Sequence, residues 1–199
     1  MNIGYENESS TDVMTGGPDK RRQLYYQLIA SMKKAESVDI IVSFLMESGV
    51  KMLLKELENT LKHGAKIRIL TGNYLGITQP SALYLIKRKL GDRVDLRFYC
   101  EKGRSFHPKS YIFHYANHSE LYIGSSNISR SALTSGIEWN YRFSSKKDLE
   151  NYEEFFHTFE DLFEKHSIII DDKELKRYSQ NWHCPAVAKD IDRYDFEQD

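Results

Sequence analysis

Apolar positions recur along this chain with two alternating periods. Leu24, Leu28 and Met32 fall on one helical face behind Asp19, whose carboxylate can cap a helix over 20–35. Val38 to Phe44 is a short, nearly all-apolar and β-branched run, which suits a strand covered on both faces. Val50, Leu53, Leu54, Leu57 and Leu61 return to helical spacing over 47–63, with Gly64 placed to end that helix. Lys66 to Thr71 is the next strand. Strand, helix, strand in this order predicts a parallel pair joined by a right-handed crossover.

The alternation continues. A loop from Asn73 to Pro80 precedes a helix over 81–90 and a strand over 93–100. Phe106–Tyr115 and Glu120–Gly124 read as two strands around the turn Ala116-Asn117-His118-Ser119. A short helix is expected near Ser129 and a strand from Ile137 to Phe143. Ser145 is placed to cap a helix over 147–166 with Leu149, Tyr152, Phe156, Phe159 and Phe163 as its buried stripe, and a short helix is expected over 172–180. The pattern predicts an α/β fold: a mixed, largely parallel sheet between two layers of helices. Residues 1–18 read as a polar, mobile lead-in without the apolar core of a signal peptide. Residues 19–166 read as the domain, and 167–199 as a C-terminal helix and tail of the kind that links to a following domain.

Composition narrows the picture. With 199 residues, 40% of them apolar and 29% charged, one domain with a full core is expected. The formal net charge of −1 supplies no global field toward nucleic acid, so any such binding must come from local patches. The clusters Lys20-Arg21-Arg22 and Lys87-Arg88-Lys89 read as solvated faces. Cys100 and Cys184 have no framework spacing, which points to plain thiols in a reduced, cytoplasmic setting. No apolar run approaches the roughly 20 residues of a membrane span, so no membrane partner is expected.

The chemistry is concentrated between Phe106 and Asn140. Pro108 biases His107 toward extended backbone, and in a strand His107 and Lys109 point the same way. Leu121, Ile123, Ser125 and Asn127 share one parity in the neighbouring strand and turn, while Gly124 permits close backbone approach. An imidazole, an ammonium, a hydroxyl and an amide then converge as a phosphate cradle, with Lys109 supplying charge and Ser125 and Asn127 neutral donors. Glu138 has the chemistry to accept a histidine ring N–H and set its tautomer. Ser126 is placed either to touch substrate or to cap the helix that follows. Tyr74, in a loop after a parallel strand, and Arg104 are candidates for contacting substrate. His107 and His114 have opposite parity and His183-Cys184 lacks paired ligands at zinc spacing, so neither a metal nor another cofactor is expected.

His107-Pro108-Lys109, Gly124-Ser125-Ser126-Asn127 and Glu138 resemble the His-x-Lys motif of the phospholipase D superfamily. The wider run, from Ser43-Phe44 through Leu70-Thr71-Gly72-Asn73-Tyr74-Leu75 to Gly136-Ile137-Glu138-Trp139-Asn140, resembles its nuclease domain, found in restriction endonucleases and ahead of bacterial helicases. The resemblance covers about 38–143. It implies an α/β/α sandwich dimerising through its active-site face, with DNA as substrate and a helicase domain as partner in the same native polypeptide. One His107 would attack phosphorus to form a phosphohistidine, and the other would protonate the leaving oxygen and then activate water. Both Lys109 side chains, Asn127 and Ser125 would stabilise the transition state, and Glu138 would orient the nucleophilic ring. One departure stands out: the family motif usually has Asp five residues after its Lys, where this chain has His114. Two rival readings remain at this stage, a lipid phosphodiesterase or phosphatidyltransferase, and a DNA-binding or dimerisation module without catalysis. No Gly-x-x-x-x-Gly-Lys-Ser/Thr loop is present, so ATP hydrolysis of that kind is excluded.

Overall fold

The computed structural model describes residues 11–196. Its strands are β1 (Val13–Met14), β2 (Ser37–Val42), β3 (Lys66–Thr71), β4 (Val94–Tyr99), β5 (Lys109–Tyr115), β6 (His118–Gly124), β7 (Asn140–Ser144) and β8 (Ser167–Ile169). Its helices are α1 (Leu24–Met32), α2 (Glu47–Lys62), α3 (Pro80–Leu90), α4 (Arg130–Leu133), α5 (Leu149–Lys165), α6 (Asp172–Asn181) and α7 (Ala186–Phe196). All eight strands form one sheet in the order β1–β7–β6–β5–β2–β3–β4–β8. The expected mixed sheet is present, but its parallel part is confined to β2–β3–β4. The other pairings are antiparallel, so "largely parallel" overstated it. The reason is the tight hairpin of β5 and β6, which turns through Ala116-Asn117 and carries the antiparallel half onto β2.

Two cores flank the sheet. On one face Leu24, Leu28 and Met32 of α1, Val50, Leu53 and Leu57 of α2, and Leu83 and Ile86 of α3 pack against Val38, Ile40, Ile67, Ile69, Tyr111 and Phe113. On the other, Tyr152, Phe159 and Phe163 of α5 pack against Ile41, Leu70, Ile112 and Leu121. Alternation along β2 and β5 therefore feeds both layers, as a strand buried on both faces requires. No described helix is long and apolar enough to cross a membrane.

Several boundaries differ from the sequence expectation, each for a local reason. Asp19 caps a single 3-10 turn, accepting the Arg21 N–H at 3.0 Å, and the extended backbone of Gln23 separates that turn from α1. Asp148 rather than Ser145 caps α5, and the Ser145 hydroxyl instead accepts the Ser119 N–H at 2.9 Å. Residues 1–10 of the expected mobile lead-in lie outside the described residues, whereas Val13–Met14 pairs with Tyr141 and Asn140 as an edge strand. The expected tail is built into the fold: β8 extends the sheet beside β4, and α6 and α7 pack on loops near one sheet end.

His114 takes a structural place. Its Nε2 lies 2.8 Å from Oδ2 of Asp39, a carboxylate only 2% exposed on β2. Asp39 also binds Arg68 at 2.6 and 2.8 Å, and Arg68 reaches Glu160 of α5 at 2.6 Å. Burial pushes the Asp39 carboxyl up, but the hydrogen bonds from His114 and Arg68 outweigh it and hold the group below its ordinary 3.8. Its contribution to stability is therefore complete above 3.8 and is lost as pH falls through the lower folded value. His114→Ala is expected to cost about 1–3 kcal/mol in urea unfolding by exposing that carboxylate's missing partner. The ring faces α5, with its centroid 5.3 Å from that of Phe156 and Nδ1 3.3 Å from the Tyr152 hydroxyl.

Candidate active site

The site residues sit at one end of the sheet, where β2, β3 and β6 finish and β5 and β7 begin. Phe106 anchors the approach: it is 8% exposed, stacks on Tyr99 with ring centroids 4.4 Å apart, and lies against Gly72. The chain then surfaces at His107 and turns into β5 at Lys109. Lys109 is 7% exposed. Its ammonium lies 3.0 Å from Ser43 Oγ, 3.0 Å from the His107 carbonyl, and 2.9 and 3.0 Å from the two nitrogens of the His107 ring. Burial lowers the Lys109 pKa to about 8, against the opposing pull of the Glu138 carboxylate. Burial, and then the charge of Lys109, hold His107 below its ordinary 6.5. The result is a neutral imidazole beside a cation at neutral pH, the pairing a nucleophile and an anion clamp need.

Asn127 is oriented by backbone. Its Oδ1 accepts the N–H groups of Ser43 at 3.0 Å and Phe44 at 3.2 Å. Two obligate donors settle which amide atom is oxygen, so the NH2 is the group left to face a ligand. Gly124 is needed just before this turn, because a Cβ there would lie 2.1 Å from the Trp139 carbonyl oxygen. Gly49 does the same from α2, where a Cβ would lie 2.5 Å from the carbonyl carbon of Ile128. Both glycines let elements close directly onto the Asn127 segment.

The remaining expected residues divide. Tyr74 joins the cluster, its ring centroid 4.4 Å from that of His107. It is followed by Leu75, whose φ of 51° is a left-handed conformation that a non-glycine residue holds only under constraint. That constraint comes from the C-terminal segment. The Tyr178 hydroxyl lies 2.6 Å from Thr78 O and 2.7 Å from Asn73 Oδ1, and the Trp182 indole donates to Gly76 O at 2.7 Å. Ser125 is exposed and hydrogen-bonded to the Glu138 carboxylate, and it accepts the Trp139 N–H at 3.0 Å. Within one chain, then, Glu138 meets Ser125, where the resemblance implied that it orients His107. Ser126 does not contact substrate space or cap α4. It is fully buried, donates to Ala132 O at 3.0 Å and accepts from Asn140 Nδ2 at 2.8 Å, while Ser129 is the cap. Arg104 stands out in solvent, 3.8 Å from Glu101, and is not brought against the cluster.

Sequence reasoning missed two contributors. Ser43, the residue after β2, ties Lys109 Nζ to the Pro108 carbonyl, to which its hydroxyl donates at 3.2 Å. Asp195 of α7, 1% exposed, accepts the Ser131 N–H at 2.7 Å, the Arg130 N–H at 3.1 Å and the Ser48 hydroxyl, and so holds the start of α4 beside the Asn127 turn. Asp195 carries no local signal, since a lone aspartate is ordinary in any chain, and Ser43, though part of the Ser43-Phe44 pair in the resemblance, gives no sign in sequence of its bond to Lys109.

Fold and cluster together define an α/β/α domain with His107, Lys109 and Asn127 gathered at one end of the sheet. The family model described as "Cardiolipin synthase, PLD-like domain" matches residues 27–166, and the chain belongs to this phospholipase-D-like family. That membership places it in phosphodiesterase-type chemistry, the breaking or exchange of phosphodiester bonds, in general terms. No curated protein matches the sequence. Among solved structures, NucT from Helicobacter pylori is similar at TM-score 0.60 and 16% identity, over 79% of this chain and 97% of that one. The phosphatidylserine synthase of Haemophilus influenzae Rd KW20 is similar at TM-score 0.57 and 11% identity, over 94% of this chain and 45% of that one. TrmBL2, described as an archaeal chromatin protein with a novel mode of DNA binding, is similar at TM-score 0.53 and 16% identity, over 82% of this chain and 55% of that one. At these identities the three likenesses establish the shared fold.

Proposed function

We propose that this chain is a metal-independent phosphodiesterase acting on DNA, with one active site shared by two copies, serving as the nuclease module of a restriction or helicase system. The observation that carries the reading is the Lys109 ammonium held within 3.0 Å of the His107 ring, with Asn127 turned by backbone donors to present its NH2. In the reaction one His107 nitrogen attacks phosphorus and the bond from phosphorus to the leaving oxygen breaks. The leaving oxygen takes a proton from the His107 of the second copy. That ring, now neutral, accepts a proton from water as the water oxygen attacks phosphorus and the phosphorus–nitrogen bond breaks. Lys109 and Asn127 from both copies bind the non-bridging oxygens. Glu138, engaged by Ser125 within its own chain, is available to the ring across the two-fold. Resemblance to the nuclease domain names DNA as the substrate, and the DNA-binding description of TrmBL2 accords with it.

The test is incubation with plasmid and single-stranded DNA, and separately with phosphatidylcholine, in excess EDTA. Nicked or shortened DNA and an acid-labile phosphoprotein trapped during turnover are expected. Cleavage of the lipid alone, or loss of DNA cleavage on chelation, overturns the reading. The rate should follow a bell-shaped pH profile. Both limbs belong to the coupled pair of rings, one of which must be neutral and the other protonated. Loss of the Lys109 proton near pH 8 should add a further fall on the alkaline side.

A further inference from the structure

The last helix reaches the site from outside the region that family membership covers. The family match ends at residue 166, and α7 spans Ala186–Phe196. Ala188 of α7 is buried with Met46 and Ile77, and Phe44, Tyr74 and Ile191 pack around them. Two turns further along the same helix face, α7 buries Asp195. Its carboxylate grips two chain segments at once. Oδ2 accepts the hydroxyl of Ser48, at the start of α2, and the Arg130 N–H at 3.1 Å. Oδ1 accepts the Ser131 N–H at 2.7 Å. Arg130 and Ser131 open α4.

These two segments meet along one seam, and the seam carries Asn127. The Met46 N–H donates to Ile128 O at 2.8 Å, and Leu45 forms a parallel bridge to Ile128. Beside them the Ser43 and Phe44 N–H groups turn the Asn127 amide. Asp195 thus ties the α2 side of the seam to the α4 side, a short step along the chain from Asn127. Packing alone would be met by an apolar side chain. A buried carboxylate ringed by donors adds direction, because hydrogen bonds fix geometry where apolar contact does not.

We propose that Asp195 is a positioning residue of the active site: by clamping the starts of α2 and α4 together from α7, it holds Asn127 where its NH2 meets the substrate phosphate. The kinetic consequence rests on the phosphodiesterase reading above. The consequence for the geometry of Asn127 does not.

Amide hydrogen exchange of the full chain, followed by NMR, tests it beside cleavage of DNA in EDTA. In Asp195→Ala the Ser43 and Phe44 amides should exchange about 10-fold faster, beyond any change at Ile40 and Ile112 within β2 and β5. The kcat should fall about 30-fold with KM within about 2-fold, the pattern of an interaction made in the transition state. Asp195→Asn should fall nearly as far. Every partner of the carboxylate donates, so whichever way the amide sits, its NH2 faces a backbone N–H. In an Asn127→Ala background, Asp195→Ala should lower kcat by less than about 2-fold more, because the group it positions is gone. Ser48→Ala keeps the carboxylate, removes one donor and should show the same pattern at about 3-fold; it carries the test should Asp195→Ala not fold.

Unchanged exchange at Ser43 and Phe44 overturns the proposal, as do losses that multiply in the double variant. If exchange is unchanged and the wild type cuts DNA, the positioning role fails and the phosphodiesterase reading stands. If exchange quickens and no phosphodiester is cut, the clamp on Asn127 stands and that reading fails.

Discussion

His107→Ala is expected to lower cleavage of DNA by about 10^4-fold or more while the fold and the affinity for DNA stay close to wild type. The ring is exposed and contacts Lys109 and Tyr74, so its removal opens no cavity in either core. Lys109 keeps its bonds to Ser43 and to the His107 carbonyl, both independent of the imidazole. The proposed phosphate clamp would therefore survive without the proposed nucleophile, and a gel-shift titration should show retained binding beside absent cleavage. Mixing equal amounts of variant and wild type, with exchange of partners, should leave each wild-type chain about half as active, because half of its partners then lack a ring. Full activity of every wild-type chain in the mixture would show that one copy suffices and would remove the shared site.

Lys109→Met is expected to lower cleavage by about 10^3-fold or more and, in the same protein, to raise stability. Burial depresses the Lys109 pKa from 10.5 to about 8. Between those values the unfolded chain holds a proton that the folded chain does not, so wild-type stability climbs with pH through that window. Below about 8 the folded state carries the whole cost of the buried charge. Methionine keeps the stem and removes the charge, so the variant should gain roughly 1–3 kcal/mol at pH 7. The gain should shrink toward pH 10. Urea midpoints at pH 7 and 9.5 measure both statements, and a variant less stable than wild type at pH 7 would contradict the assigned burial cost. In the proposed reaction the same lysine links stability to function, because the buried charge that burdens the folded state is the one that binds the phosphate.

Much of the site was legible because its members are close in sequence and strand geometry is regular. His107 and Lys109 are two apart, and the close approach at Gly124 follows from a backbone packed against Trp139 and Asn140. Parity placed Asn127 beside them, though not the reason its amide points correctly, which is the pair of N–H groups from Ser43 and Phe44. Ser126 lies outside that parity, and its hydroxyl is drawn inward to Asn140 and Ala132, away from both substrate and the helix cap. Nothing near Glu138 in the sequence announces Ser125 as its partner, since both serines of the turn were equal candidates before folding.

The order of apolar and polar residues was enough to determine the layered α/β architecture, most helices and strands, and the motif that marks the chemistry, because hydrophobic period and short-range spacing are local properties. Tertiary structure alone decided the antiparallel half of the sheet, the bond from Ser43 to a lysine 66 positions away, the pairing of His114 with Asp39 across strands, and the C-terminal segment laid over the site loops. Each of these joins residues far apart in the chain, and such contacts form only when burial of the two cores brings distant segments to one end of the sheet.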